Sequence, residues 1–324
     1  MSHFFKNIFS IDNNYSDERT KIVLFGISFK LVKKQYAQLR KQNTFYYYKK
    51  NNIDITTLPP ATGQIRNIQL ANLALLKELD FVCKQCGLNY WLDAGTLIGS
   101  IRHKGFIPWD DDIDVGMLRE DYNKIIAAFN KYSRNPDIYA DFYRDPIHPS
   151  MYFIKVQHKK CKHLFVDIFP FDVYGKALST DMQLKKTIEI KKIRKTLESN
   201  IEKISNVELK EKIDYLMKTQ ILMQDRPEIL EESDCVWGID FKHGWNNWFT
   251  NYNVIFPLKT IEFEGQHFSC LNDPNAFLTR VYGDYMAYPK KLRLGHNSYK
   301  TFTEEENKIV QDLIKGQGLQ CETI

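Results

Sequence analysis

Residues 105–117 read GFIPWDDDIDVGM. Four aspartates occupy five positions, at Asp110, Asp111, Asp112 and Asp114, with Trp109, Ile113, Val115 and Met117 among them. A solvated acidic loop has no use for those apolar residues. A wholly buried strand has no use for four charges. The strand period reconciles the two. If residues 112–115 are extended, successive side chains alternate faces. Ile113 and Val115 then enter a core. Asp112 and Asp114 share the opposite face, roughly 6.5–7 Å apart at Cα for a rise of about 3.3 Å per residue. Two carboxylates on one face repel unless a cation lies between them. Mg2+ suits such a pair, because it takes a few carboxylates, some waters and the phosphate oxygens of a substrate. A calcium loop does not fit. Its sixth position requires glycine and here is Val115, and Gly105 and Pro108 leave no entering helix.

The upstream segment points the same way. LNYWLDAG reads as a short strand ending at Gly95, and TLIGSIRH as a helix start. Small residues in LIGS (97–100) let backbone N–H groups approach phosphate, and a helix N-terminus favours negative charge. A strand, a small-residue turn and then an acid-x-acid strand resemble the pattern of the nucleotidyltransferase-like fold. That fold usually adds a third carboxylate from a neighbouring strand. HLFVDIFPFD offers Asp167, set among apolar residues, with Asp172 after Pro170 as a weaker rival. Asp167 is expected either to bind metal or to act as general base for an attacking hydroxyl.

The chain has 324 residues, enough for a large domain with insertions. Its charge is uneven. Residues 1–50 hold ten Lys/Arg against three Asp/Glu, so a net charge of +5 leaves the remainder slightly acidic. We therefore read residues 1–60 as a basic extension and 61–324 as the catalytic domain. A turn-rich linker, NNIDITTLPPATGQ, lies at their junction. The spacing predicts a helix over about 65–86 and an amphipathic helix in REDYNKIIAAFNKY. YFIKVQHK and HLFVDIFPFDVY read as strands. Residues 179–235 read as a helical insertion, opened by cap-competent Ser179, Thr180 and Asp181. Acids interleave with its bases, which excludes a nucleic-acid arm. The last 80 residues read as aromatic-rich strands and turns. The expected class is α+β, a mixed sheet flanked by helices.

Cys83 and Cys86 form a CxxC inside a helix-period stretch, and free thiols in a reducing compartment are the better reading than zinc. No apolar run approaches the roughly 18 residues of a membrane span. The expected location is cytoplasmic, either with the basic extension docked on an anionic membrane face or with that extension as a plain soluble surface.

YWLDAGTLIGSIRHKGFIPWDDDIDVGM (90–117) resembles the signature of the LicD family, to which the fukutin-related proteins are similar. The resemblance continues through VDIFPFD (166–172), VIFPLKTIEFEG (254–265) and FLTRVYGDYMAYP (277–289), and so covers roughly residues 65–300. It implies Mg2+-dependent transfer of a substituted phosphate, phosphocholine or a polyol phosphate, from a CDP-activated donor to a hydroxyl of a cell-surface glycan. CMP is the leaving group. Carried over by position, Asp112, Asp114 and Asp167 are the catalytic and metal-binding acids, and Asp110 supports them. Gly95, Thr96, Gly99 and Ser100 shape the helix start around the donor diphosphate, and Arg102 is a candidate phosphate contact. Asp111 falls at a variable place, where its charge needs solvent or a basic partner. The acids alone do not exclude a nucleotidyltransferase that expels pyrophosphate, nor a non-catalytic glycan- or membrane-binding protein that keeps the fold.

Overall fold

A computed structural model describes residues 9–14, 19–24, 27–32, 44–199, 201–222, 228–290 and 302–322. The chain opens with an antiparallel meander of β1 (Phe9–Asn14), β2 (Arg19–Leu24) and β3 (Ile27–Val32). The expected membrane contact of the basic extension depends on side chains outside the described residues. Helix α1 (Thr44–Lys50) precedes α2 (Gly63–Cys86), which carries the predicted helix. Gly87 stops α2 in the left-handed region, at φ 64°, where a Cβ would be strained. Strand β4 (Trp91–Leu92) and helix α3 (Ala94–His103) follow. The strand thus ends earlier than LNYWLDAG suggests, because Asp93 leaves it to cap α3.

Strand β5 (Ile113–Leu118) carries the acid-x-acid pattern. Ile113, Val115 and Met117 are fully buried, as the alternation predicts. The predicted helix after it is broken into a one-turn helix, Arg119–Tyr122, and α4 (Ile125–Tyr132). The break serves two directions of burial. Tyr122 turns inward, where its hydroxyl accepts from the Ile154 N–H, while Ile125, Ala128 and Phe129 supply the buried face of α4.

Strands β6 (Ile138–Arg144) and β7 (Tyr152–His158) form a hairpin leading to β8 (Cys161–Lys176). β8 is the spine of the sheet. One edge pairs parallel with β5; the other pairs antiparallel first with β7 and then with β9 (Ser233–Trp237). Pro170 lies between those two antiparallel partners, whose registers end at Ile168 and begin at Phe171, so its missing N–H breaks neither ladder. Strand β10 (Phe249–Asn251) completes the seven-stranded mixed sheet.

Between β8 and β9 lie α5 (Thr180–Lys195), capped by the Ser179 side chain, and α6 (Asn206–Leu216), with a π-helical extension to Leu222. The helical stretch ends before Ser233, where β9 begins. The C-terminal part corrects the expected strands and turns. It holds the hairpin β11 (Lys259–Phe263) and β12 (Gln266–Cys270), but also α7 (Pro274–Tyr282) and α8 (Glu304–Lys315). Both helices carry ordinary start signals: Asp273 followed by Pro274, and a Thr303–Glu306 capping box. The class is α+β. None of the described helices is long and apolar enough to cross a membrane.

A charged clamp fixes one end of the sheet. Arg119, at the end of β5, meets both oxygens of Asp172 on β8 at 3.0 and 2.8 Å, and both oxygens of Asp240 beyond β9 at 2.9 and 2.6 Å. A Cβ on Gly238 would lie 2.4 Å from the Arg119 guanidinium, so the chain passes there without a side chain. Removing one member of such a buried set leaves uncompensated charge. Arg119→Met is expected to lower stability by about 3–5 kcal/mol in urea denaturation, whereas Arg119→Lys should lose less.

Candidate active site

The acidic loop is held from below by α2. Gln69 and Asn72 are fully buried amides on the core-facing side of that helix. Gln69 Nε2 donates to the Ile107 and Asp110 carbonyls at 3.2 and 2.7 Å, and Asn72 Nδ2 donates to the Asp111 carbonyl at 2.9 Å. Asn72 Oδ1 also accepts the Phe165 N–H of β8 at 3.0 Å. One helix thereby sets the loop and the neighbouring strand against each other. Buried polar groups in a helix interior are costly unless bonded, and each of these amides is bonded. Their presence among the apolar residues of NIQLANLALL is the sequence signal for them.

The start of α3 holds β5 from the side. The Asp93 N–H donates to the Asp114 carbonyl at 3.0 Å, and the Asp114 N–H donates to Thr96 Oγ1 at 2.9 Å. Thr96 therefore fixes the backbone of an acid. Gly95 borders the carboxylates: a Cβ there would meet Asp110 Oδ2 at 2.4 Å and Asp114 Oδ2 at 3.9 Å. Gly99 and Ser100 face protein. A Cβ on Gly99 would strike the Gly105 carbonyl at 2.4 Å, and Ser100 Oγ donates to the Thr96 carbonyl at 2.9 Å. Arg102 lies seven residues beyond Gly95, about 10 Å along the helix at 1.5 Å per residue. It is buried and donates to the Ala287 carbonyl at 3.2 Å. Burial pulls its pKa down to about 10, against the pull of Tyr285, Asp284 and Tyr288.

Asp110, Asp112 and Asp114 are half-buried and close enough to act on one another. Burial, then the charge of Asp112 and a side-chain hydrogen bond with it, hold the Asp110 carboxyl well above the usual carboxylate range. Burial, then Asp112, Asp167, Asp110 and Asp93, do the same to Asp114. Of the two outcomes left open for Asp111, solvent does not apply. The residue is fully buried, and its N–H donates to the Asp110 carboxyl. Asp167 is brought to the cluster by the sheet, since the parallel register sets it opposite Asp114. It also ion-pairs with Lys155 of β7 at 2.9 Å. Asp172, the rival acid, is taken up by Arg119. Among the described residues no three His, Cys, Asp or Glu side chains converge as a ready-made set of metal ligands.

The sequence reading missed Asp93, the fully buried cap of α3. Its Oδ1 accepts the Ala94 N–H at 2.7 Å. Burial raises its pKa to about 7, against the lowering effects of the Ala94 N–H and Trp237. It missed Glu264 as well. This residue at the tip of the β11–β12 hairpin bonds Arg66 at 2.9 and 2.6 Å and accepts the Phe106 N–H at 3.1 Å.

The raised carboxyls make a pH prediction. Asp93, Asp110 and Asp114 keep their protons in the fold over a range where the unfolded chain, with carboxyls near 3.8, has released them. Folding then binds protons, so stability falls as pH rises. The Asp93 share, of order 4 kcal/mol, is lost between about pH 4 and 7. Urea titrations of metal-free protein at pH 5, 6, 7 and 8 should show this decline. Asp93→Asn, which keeps the capping oxygen, should make it shallower. Stability rising with pH would contradict the assignment.

A family model described as LicD/FKTN/FKRP, nucleotidyltransferase domain, matches residues 87–211, the segment that contains these acids. The chain is 27% identical over 246 residues to the lipopolysaccharide cholinephosphotransferase LicD of Haemophilus influenzae, across 69% of this chain and 92% of that one. It is 32% identical over 100 residues to the human ribitol 5-phosphate transferase FKRP, across 28% of this chain but 18% of that longer protein. A shorter stretch of 49 residues is 41% identical to the mouse ribitol-5-phosphate transferase FKTN, 11% of its length. Residues 87–211 of this chain are therefore a LicD-family domain.

Proposed function

We propose that this protein is a phosphotransferase that moves a substituted phosphate, phosphocholine or a polyol phosphate, from a CDP-activated alcohol to a hydroxyl of a cell-surface glycan and releases CMP. The observation that carries this reading is the acid cluster: Asp110, Asp112 and Asp114 lie close enough together to shift one another's protonation, inside a family segment whose relatives are named transferases of such groups. The nucleotidyltransferase-like fold belongs to the same proposal.

The residues fit Mg2+. Burial, and then repulsion from the neighbouring acids, raise the pKa of Asp110 and Asp114, and a divalent cation would relieve the repulsion. Asp112 and Asp114 would hold the ion, which would offset charge on the donor diphosphate and on the departing CMP. Asp110 accepts the Asp111 N–H, and its protonated carboxyl donates to Asp112 and so orients it. Gly95 lets the Asp110 carboxyl close in on the start of α3, and that helix start supplies a favourable dipole for a phosphate. Thr96 keeps Asp114 in place through its backbone. Gly99 and Ser100 act by packing the helix against the loop. Arg102, at the far end of α3, is better suited to the rim than to the reacting phosphorus. Asp167 serves either as a third ligand or as the base that takes the acceptor proton. The acceptor is a glycan or lipid-linked glycan, and nucleic acid has no place in the reading.

The decisive experiment follows product identity. Purified protein with Mg2+ and acceptor glycan is expected to release CMP from one of CDP-choline, CDP-glycerol, CDP-ribitol or CDP-ethanolamine. Asp112→Asn and Asp114→Asn should each cost on the order of 10³-fold in kcat without loss of fold. Pyrophosphate release from a nucleoside triphosphate would replace this reading with nucleotidyl transfer. Full activity in either variant would remove the metal assignment.

A further inference from the structure

Two strand pairings meet at Asp167, and a third extends them through Lys155. The parallel β5–β8 register sets Asp114 opposite Asp167, and the antiparallel β7–β8 register sets Lys155 opposite Asp167. The β6–β7 register then sets Asp141 opposite Lys155. Cross-strand partners share a face. Asp114, Asp167, Lys155 and Asp141 therefore form one row across four strands, with a step of about 4.8 Å. The row runs from the acid cluster to Asp141, which is exposed.

Lys155 is the inner cation of that row. Its Nζ lies 2.9 Å from Asp167 Oδ1, and the two side chains are 8% and 7% exposed. Aromatic rings surround the ammonium: it is 3.7 Å from the ring centroid of Phe165, 4.4 Å from Tyr143 and 5.4 Å from Phe153. Phe165 and Phe153 stand two residues before Asp167 and Lys155 on the same strands, so the rings lie on the same face. This packing fixes the ammonium and, through it, the carboxylate.

A buried ion pair is a poor source of stability, since a hydrophobic replacement of similar volume is often as good or better. A role toward Asp167 is a better account of Lys155. The ion pair engages Asp167 Oδ1 from the β7 side of the row, across β8 from Asp114.

We propose that Lys155 is a positioning residue that holds Asp167 outside the metal-ligand set and presents it to the acceptor hydroxyl. This rests on the phosphotransferase reading above and chooses between the two roles left open for Asp167. In the step it implies, the acceptor oxygen bonds to the phosphorus that bears the alcohol. The acceptor proton passes to Asp167. The bond from that phosphorus to the bridging oxygen breaks, and its electron pair leaves with CMP. Lys155 forms and breaks no bond in this step.

The test separates metal binding from turnover. Mn2+ alone is titrated calorimetrically into wild type, Asp114→Asn, Asp167→Asn, Lys155→Met and Lys155→Arg. Asp114→Asn should weaken binding by roughly 100-fold or more, while the Asp167 and Lys155 variants should stay within about 3-fold of wild type, as expected of residues outside the ligand set. With donor and acceptor, Lys155→Met should lower kcat by about 10²–10⁴-fold, leave the donor KM within about 3-fold, and be largely rescued in Lys155→Arg. Loss of Mn2+ binding in Asp167→Asn equal to that in Asp114→Asn would overturn the proposal, as would full kcat in folded Lys155→Met. If Lys155→Met does not fold, the Asp167→Asn titration decides. If wild type binds Mn2+ but releases no CMP, the phosphotransferase reading fails, while the titration still reports whether Asp167 is a ligand.

Discussion

The parallel pairing of β5 with β8 is the constraint on which the rest depends. It brings Asp114 beside Asp167 across a long separation in sequence, and it does so in one register. A slip of one residue would turn each acid to the other face and put Ile113 and Val115 among the charges. Much of the surrounding structure holds this register. Asn72 ties the acidic loop to β8, Thr96 and Asp93 grip Asp114 from both sides of its backbone, and Arg119 clamps the far end of β5 to β8. These bonds are mostly side chain to backbone, so they fix chain position without adding charge to the cleft.

The same arrangement divides the domain energetically. Below the sheet, Ile113, Val115, Val166, Ile168, Ile154 and Val156 are buried without polar demands. Above it, carboxyls are packed closely enough to push one another's protonation upward. The apolar face stabilises the fold, and the opposite face carries strain that a folded core can tolerate. Local inconsistency concentrated at one place is what is expected of a site.

Much of this was legible in the sequence. The alternation in DIDVGM placed Ile113 and Val115 in the core, and Ser179 marked the start of α5. Asp167 stood out as an acid among apolar residues. Other parts were hidden for physical reasons. Lys155 in YFIKVQHK looks like the solvated side of an alternating strand, because one strand does not reveal what its neighbours place opposite. Small residues at Gly99 and Ser100 suggested phosphate, but close passage of the Gly105–Ile107 chain needs small residues as well. The burial of Asp111 was not legible, because it depends on how the loop packs against α2, a tertiary effect. Helix α7 was obscured by its aromatic residues, although the caps of both α7 and α8 were readable.

The hairpin tip at Glu264 has a consequence for how substrates come and go. Its carboxylate binds the Phe106 N–H and the Arg66 guanidinium together, and its own N–H donates to the Lys104 carbonyl. Segments distant in sequence are thus bolted to the stretch that leads into the aspartates. Loop closure requires φ/ψ changes at a few hinge residues, and this stretch has its backbone groups engaged on both sides of Gly105. That side of the cleft is a standing wall. Any gating movement of the cleft is left to the opposite rim.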